Sequence, residues 1–539
     1  MKLALAQINL CVGDIQNNQR LILKNIKRAQ NLDVDLVVFP ELTVCGYLPE
    51  DLLYHQQFID DCVASVKTIA HACKDICVLI GFPRNHPNEP EKRHNSAAFI
   101  QNGTIKMIYD KQQLPNYLVF DEHRYFTKGT HDGILEVEIK GQNYKFGVSI
   151  CEDIWNDAQV VVQQAQNKVD WLLNISASPY ASGKIGSRIA MLKKRCKDNH
   201  ANLIYCNTYG GQDELVFDGT SVIITAKGEL MAQCQTFNQQ LLVFDTQKPT
   251  KNISQRLTQL QEIYQALILS TRDYFNKNGF KKAVICLSGG IDSALCAALA
   301  ADAIGAQNIT GLLLPSKFSS SHSIEDATVL AQNLQIKTHT IAIESFHANF
   351  EKTLAPMMED YFQNLTDENI QARIRGIIAM SFANNQNAIL LSTGNKSEIA
   401  VGYSTLYGDM AGGFAIIKDL FKQQVYQLCE FRNSISQVIP NNTINKAPSA
   451  ELRAEQKDSD SLPEYPQLDA ILKAYIHDFK DAKSIAKDGH DLQLVRKILK
   501  MVDRNEHKRQ QAALGPRVTK MAFGKDRRMP ITNGYRHNY

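Results

Sequence analysis

The sequence predicts an α/β protein built from two layered domains, and three observations predict it. The chain has 539 residues, more than a single hydrophobic core ordinarily serves. Short apolar runs alternate with amphipathic runs of helical period along most of its length, the pattern of strands layered against helices. Near the middle, residues 246–254 are polar and carry Pro249, as a linker would. The domains are therefore expected at 1–245 and 257–539, with 246–256 joining them.

Composition narrows the class. Hydrophobic residues make up 44% and charged residues 21%, the proportions of a soluble globular protein. The net charge of +3 gives no general electrostatic reason to bind nucleic acid. The one dense basic region is C-terminal: Arg504, Lys508, Arg509, Arg517, Lys520, Lys525, Arg527 and Arg528. The twelve cysteines form no CxxC pair, which suits reduced thiols better than a disulfide framework. No signal-peptide pattern opens the chain and no apolar run is long enough to cross a bilayer. A cytoplasmic protein that binds no membrane is expected.

In the first half, strands are expected at 2–8, 35–39, 76–82, 96–101, 104–109, 135–139, 144–150, 170–175, 202–207 and 221–225. Helices are expected at about 17–31, 57–73, 157–168 and 186–199. Three ionisable residues follow predicted strands: Glu41 in Phe39-Pro-Glu-Leu-Thr-Val-Cys-Gly-Tyr47, Lys111 in Tyr109-Asp-Lys-Gln-Gln-Leu-Pro-Asn-Tyr117, and Cys151 after Phe146-Gly-Val-Ser-Ile150. Strand ends are where layered α/β folds gather their sites. Taken singly, each has a plainer reading: a loop carboxylate, a surface cation, a buried thiol.

Together these strings resemble the nitrilase superfamily of C–N hydrolases across roughly residues 1–245. The resemblance implies an α-β-β-α sandwich and a Glu-Lys-Cys triad. Cys151 would be the nucleophile, Glu41 the general base and acid, and Lys111 the oxyanion stabiliser, roles that suit amide hydrolysis. The segment Leu114-Pro-Asn-Tyr-Leu-Val-Phe-Asp-Glu-His-Arg-Tyr-Phe126 is similar to glutamine-dependent NAD synthetases, as are 174–184 and 210–219. That similarity implies glutamine contacts at Tyr117, Ser178 and Lys184.

In the second half, a helix at about 256–278 leads to the apolar run Ala283-Val284-Ile285 and then Cys286-Leu-Ser-Gly-Gly-Ile-Asp-Ser293. An alanine-rich run follows. Strand, glycine turn and helix N-terminus together make an anion site. The Gly-Lys-Ser/Thr ending of a Walker A loop is missing. Further strands at 309–314, 338–343 and 388–392 alternate with helices, which predicts a doubly wound parallel sheet with ligands beyond the strands' carboxyl ends.

The glycine loop resembles the pyrophosphate loop of N-type ATP pyrophosphatases. The order of that loop, then Thr393-Gly-Asn-Lys-Ser-Glu398, Tyr407-Gly-Asp409 and Lys418-Asp-Leu-Phe-Lys422 is similar to NAD synthetases. The resemblance implies ATP contacts at Cys286, Leu287, Ser288, Gly289, Gly290, Ile291, Asp292, Ser293 and Thr393. It implies deamido-NAD contacts at Asn369, Glu398 and Lys508, and Mg2+ held by Asp292 and Glu398. Lys422 is expected to neutralise phosphate charge. Residues 441–462 are either a mobile lid or an ordinary flexible loop. A pyrophosphate-bearing substrate accounts for the basic C-terminus.

The function this implies is ATP-dependent amidation of deamido-NAD through an adenylate, with ammonia released from glutamine by the first domain and passed through a tunnel. A homo-oligomer is expected by resemblance. The competing readings are another amidotransferase with the same loop, such as a GMP synthetase, and a nucleotide sensor with dead sites. The nitrilase-type strings weigh against the first, and the intact Glu41, Lys111, Cys151 and glycine loop against the second.

Overall fold

A computed structural model describes residues 1–155, 159–358, 365–454 and 456–535. The chain divides into two compact units, Met1–Gln259 and Leu260–Tyr539.

The first unit is a four-layer α-β-β-α sandwich. One sheet has six strands in the spatial order Gln240–Asp245, Lys2–Gln7, Leu36–Val38, Cys77–Asn85, Arg93–Gln101, Thr104–Asp110. The other has seven, in the order Asn252–Ile253, Leu230–Gln233, Val222–Ile224, Asn202–Asn207, Trp171–Ser176, Gln142–Ile150, Ile134–Ile139. Side chains alternate between the faces of a strand, and the cores follow that alternation. Leu3, Leu5, Val38 and Leu79 pack with Phe146, Val148, Leu173 and Ile204 between the sheets. Ala4, Ala6, Val37 and Val78 point the other way, onto Ile22 and Ile26 of helix Ile15–Asn31 and Ile59 and Val66 of helix Gln56–Ala72. Leu172, Leu203 and Val222 meet Val161 and Leu192 of helices Gln159–Gln166 and Lys184–Asn199 on the far side.

The second unit carries a five-stranded, all-parallel sheet in the order Lys337–Thr340, Ile309–Leu313, Ala283–Cys286, Ile389–Ser392, Phe414–Ala415. Its first strand in sequence, Ala283–Cys286, lies between Ile309–Leu313 and Ile389–Ser392. The chain winds outward both ways from there, so the turn after Cys286 sits at the topological switch point, where ligands bind in such sheets.

Most expected elements lie within a few residues of their positions, and the departures have local causes. The predicted strand 338–343 stops at Thr340. Beyond it, Ile341 and Ile343 still donate to Leu313 O and Pro315 O, but the chain then turns into helix Glu344–Leu354. The expected linker contributes a strand, Asn252–Ile253, which pairs in parallel with Leu230–Gln233. The helix expected from 256 begins at Gln259, and of the helix expected at 157–168, residues 157 and 158 lie outside the described residues. A hairpin, Tyr209–Gln212 with Leu215–Asp218, was not expected. Its glycine-rich first strand has no period-two apolar pattern to announce it.

Candidate active sites

In the first unit, three charged or nucleophilic groups stand just beyond the ends of three strands, two in one sheet and one in the other. Cys151 directly follows strand Gln142–Ile150 and opens the short turn Cys151–Ile154, with a left-handed φ of 42°. Asp153 holds that turn. Its Oδ2 accepts from Tyr109 OH at 2.8 Å and Ile150 N at 2.9 Å, and its Oδ1 from Gln113 N at 2.8 Å and Gln112 N at 3.2 Å. The same carboxylate thus fixes both the nucleophile turn and the chain after Lys111.

Glu41 follows strand Leu36–Val38 and is fully buried. Gly81 lets its backbone come close: a Cβ there would lie 2.4 Å from Leu42 N and 2.9 Å from the Glu41 carbonyl carbon. Lys111 Nζ donates to Glu41 Oε1 at 2.7 Å and to Glu122 Oε1 at 2.8 Å. Asn95 Nδ2, at 2.7 Å, and Ala177 N, at 2.9 Å, also donate to the Glu41 carboxylate, and Tyr47 OH donates to Glu122 at 2.8 Å.

Burial alone would lower the pKa of Lys111, but the Glu122 and Glu41 carboxylates, and then Cys151, hold it well above the ordinary lysine value. Burial, followed by the Glu41 charge, pushes the Cys151 thiol up, while Lys111 pulls it down. A thiol so placed keeps its proton at rest, with a buried carboxylate in its field. Glu122 is the residue the sequence reading missed. It lies inside the 114–126 string, on the turn Glu122–Arg124, and its only signal was that string.

The expected glutamine contacts spread around this cluster. Tyr117 OH donates to Glu152 Oε2 at 2.9 Å. Burial raises the Glu152 pKa, opposed by the Tyr117 bond and by the charges of Lys111 and Lys184. Lys184 Nζ donates to Pro179 O at 3.0 Å and stands 5.4 Å from the centre of the Trp155 ring. Ser178 is buried and its N–H donates to Asn207 Oδ1 at 2.8 Å.

In the second unit, a cavity of about 460 Å³ opens at the switch point. Its wall includes Cys286, Leu287, Ser288, Gly290, Ile291, Asp292 and Ser293, together with Asn369, Thr393, Glu398 and Lys508. Gly289 is absent from that wall and has a packing reason to be glycine. Its φ is +77°, and a Cβ would meet Ser323 O at 2.2 Å. Helix Ile291–Ile304 starts at the loop, so the amide dipoles of its first turn face the cavity mouth. Ser288 N donates to Ser293 Oγ at 3.3 Å and Gly290 N to Ser288 Oγ at 3.2 Å, which sets the loop's shape.

Across the cavity, the capping box Asn395–Glu398 opens helix Lys396–Val401. Asn395 Nδ2 donates to Asp292 Oδ1 at 2.8 Å. Lys422 Nζ donates to Asp292 Oδ2 and, at 3.1 Å, to Glu398 Oε1. Burial pushes Glu398 up to about 8; Lys422 opposes that and Asp292 adds to it. Lys422 was expected on phosphate, and here it joins two carboxylates. Among the described residues no group of three or more His, Cys, Asp and Glu gathers to hold a metal. The Asp292–Glu398 pair suits a hard cation that takes its remaining ligands from phosphate and water.

Asn369 Oδ1 accepts from Thr405 Oγ1 at 2.7 Å. Lys508 Nζ donates to Gly402 O at 2.8 Å and Ser404 O at 2.7 Å. Burial lowers the Lys508 pKa, opposed by Asp409. Of the eight basic C-terminal residues, Lys508 alone lines the cavity. Arg509 and Arg527 pair with Glu506, and Arg517 with Asp526, so much of that cluster is structural. Segment 441–462, whose residue 455 lies outside the described residues, supplies Thr443, Lys446, Pro448 and Glu451 to the wall. Glu451 accepts from Ser320 Oγ at 2.9 Å and Ser323 Oγ at 2.7 Å, which holds the segment over the cavity.

The two units match two known families: residues 2–251 the carbon-nitrogen hydrolases and residues 263–512 the NAD synthases. The glutamine-dependent NAD(+) synthetase of Acinetobacter baylyi is 43% identical over 99% of each chain. That of Aquifex aeolicus is 42% identical over 99% of this chain and all of its own. The solved glutamine-dependent NAD+ synthetase of Acinetobacter baumannii, in complex with ADP, superposes with a TM-score of 0.79 at 40% identity, covering 99% of both chains. The Cytophaga hutchinsonii synthetase, at 22% identity and a TM-score of 0.84, shares the fold. With full-length relatives at this identity, the chain belongs to the glutamine-dependent NAD(+) synthetases, ligases that join a nitrilase-like glutaminase domain to an NAD synthase domain.

Proposed function

We propose that this chain amidates deamido-NAD in two coupled half-reactions, one in each unit, and that the residues described above divide the work as follows. In the first unit, Cys151 attacks the side-chain amide carbon of glutamine. Glu41 takes the thiol proton and passes it to the departing ammonia, leaving a thioester that water hydrolyses to glutamate. The Lys111 ammonium faces the developing oxyanion. Its tie to Glu122 as well as Glu41 keeps it in place while Glu41 cycles its proton. Glutamine is a zwitterion, and the Tyr117–Glu152 pair suits its ammonium while Lys184 suits its carboxylate. Ser178, next to Ala177 whose N–H holds Glu41, would contact the same substrate.

In the second unit, the loop Cys286–Ser293 and Thr393 bind ATP, and Asn369, Glu398 and Lys508 bind deamido-NAD. An oxygen of the nicotinate carboxylate attacks the α-phosphorus of ATP and pyrophosphate leaves. Ammonia then attacks the acyl carbon and AMP leaves, giving NAD. A carboxylate is a poor acyl donor, so making AMP the leaving group lowers that barrier. The protein's share is positioning and charge neutralisation by loop amides, the helix N-terminus and lysines. Mg2+ held by Asp292 and Glu398 would neutralise phosphate charge when bound. The twelve cysteines are all free, which supports a reducing cytoplasmic setting. Assembly as a homo-oligomer is carried over from the family resemblance.

The observation that carries this reading is one cavity walled by both the 286–293 loop and the two expected dinucleotide contacts Asn369 and Lys508. The test is to incubate the purified chain with ATP, Mg2+ and deamido-NAD, adding glutamine or ammonium, and to assay NAD, AMP and pyrophosphate. NAD is expected from either nitrogen donor, with one AMP and one pyrophosphate formed for each NAD. No NAD from either donor, or ADP and phosphate in place of AMP and pyrophosphate, contradicts the reading.

A further inference from the structure

The Asp292–Glu398 pair already holds a cation, and it belongs to the chain. Lys422 Nζ bridges Asp292 Oδ2 and Glu398 Oε1. Its side chain is 2% exposed and each carboxylate is 17% exposed. The remaining Asp292 oxygen is held by Asn395 Nδ2 at 2.8 Å, and Asn395 N donates to Glu398 Oε2 at 3.4 Å. The third side of the ammonium faces the Tyr465 ring, 5.1 Å from its centre. A divalent cation bridging the same two carboxylates would stand about 2.0–2.6 Å from their oxygens, within the space the ammonium fills.

We propose that Lys422 is a resident counter-ion that must leave before the Asp292–Glu398 pair accepts a divalent cation, so that metal and nucleotide enter this site together. This rests on reading the cavity as the ATP site. Metal entering alone would pull a buried ammonium from the two carboxylates that pair with it, and breaking a buried ion pair is strongly unfavourable. A phosphate held on the 288–293 loop would offer the ammonium a new anion across the same cavity, whose wall Asp458 also lines. The four-carbon lysine stem lets the ammonium swing to that phosphate, while the backbone of Lys422 stays fixed by its N–H bond to Ser397 Oγ at 3.0 Å. The polyphosphate thus takes the ammonium off the carboxylates and brings the metal that replaces it. The swap keeps the charge of the site balanced, and it makes the two ligands mutually dependent.

The test is a Mn2+ titration of the full chain without nucleotide, read by the electron paramagnetic resonance of free Mn2+. Calorimetric binding of ADP with Mg2+ is measured alongside. Wild-type protein is expected to bind Mn2+ weakly on its own. Lys422→Met is expected to bind one Mn2+ per chain more tightly, by roughly 5- to 150-fold, the usual range of such couplings. Adding Asp292→Asn should remove that gain. Lys422→Gln serves if the methionine variant does not fold, with circular dichroism and thermal melting as the check. No gain in a folded Lys422→Met or Lys422→Gln protein overturns the proposal. So does tight stoichiometric Mn2+ binding by wild type, whatever the variants do. If wild type binds ADP and either of those results appears, the counter-ion role falls and the ATP assignment stands. If wild type binds no ADP, the ATP assignment itself falls.

Discussion

Asp153→Asn tests how the nucleophile turn is held. The Asp153 carboxylate is fully buried and accepts four hydrogen bonds, two on each oxygen. An amide can accept on one side only. With its NH2 toward Tyr109, whose hydroxyl turns to accept, it strands only Ile150 N; turned the other way it strands the amides of Gln112 and Gln113. The first orientation is the cheaper, and one buried donor left without an acceptor costs about 1–3 kcal/mol, so the variant should lose about 1–3 kcal/mol. That is an appreciable part of the roughly 5–15 kcal/mol that stabilises a domain. The protein supplies its own probe, because Trp155 and Trp171 are its two tryptophans and both lie in the first unit. Tryptophan fluorescence in urea therefore reports that unit. With an m-value of about 2 kcal/mol per M, the midpoint should fall by about 0.5–1.5 M. Glutaminase activity should fall with the loosened turn, while ammonia-dependent NAD synthesis stays near wild type. A midpoint unchanged within about 0.3 M, with normal glutaminase turnover, refutes the reasoning.

Three further outcomes follow from the same geometry. Burial pushes Glu122 up to about 7, opposed by Lys111 and helped by Glu41, from an ordinary value near 4.5. Between those values the native state keeps a proton that the unfolded chain has lost. Its contribution to stability is therefore greatest below about 4.5 and falls away as pH rises to about 7. The urea midpoint of the first unit should decline across that window in wild type and less steeply in Glu122→Gln; equal slopes contradict it. Gly289→Ala forces a Cβ to 2.2 Å from Ser323 O at a φ of +77°. At about 1–3 kcal/mol for such overpacking, ADP affinity measured by calorimetry should fall about 5- to 150-fold, with the tryptophan-reported transition unmoved. Lys508→Ala should raise the KM for deamido-NAD about tenfold while leaving kcat and the KM for ATP near wild type, the signature of a lost binding contact.

Much of the architecture was legible because strands and helices bury one face each, and period is written in sequence. Leu3 and Leu5 against Ala4 and Ala6 is such a case: alternate residues of one strand serve two different cores. What was not legible depends on who meets whom across long separations. Glu122 is 81 residues from Glu41 in sequence, and only the fold puts both beside the Lys111 ammonium. Asp153 sits two residues from Cys151 in plain view, but its four donors come from two segments about 40 residues apart. Lys422 shows the same limit from the other side. Its charge was readable and its position near phosphate a fair expectation, yet its partners in this structure are the two carboxylates. The basic C-terminus read as one anion site because charge is visible in sequence and pairing is not. Arg509, Arg517 and Arg527 are matched by Glu506 and Asp526, and Lys508 remains for the cavity.

The central claim is that ammonia is made by Cys151 chemistry in one unit and consumed at the 286–293 loop in the other. The most direct measurement is NAD synthesis by Cys151→Ala, with glutamine and with ammonium as alternative nitrogen donors. The account predicts that glutamine-dependent synthesis disappears while ammonium-dependent synthesis continues at close to the wild-type rate. Retained glutamine use, or loss of both activities in a folded protein, would contradict it.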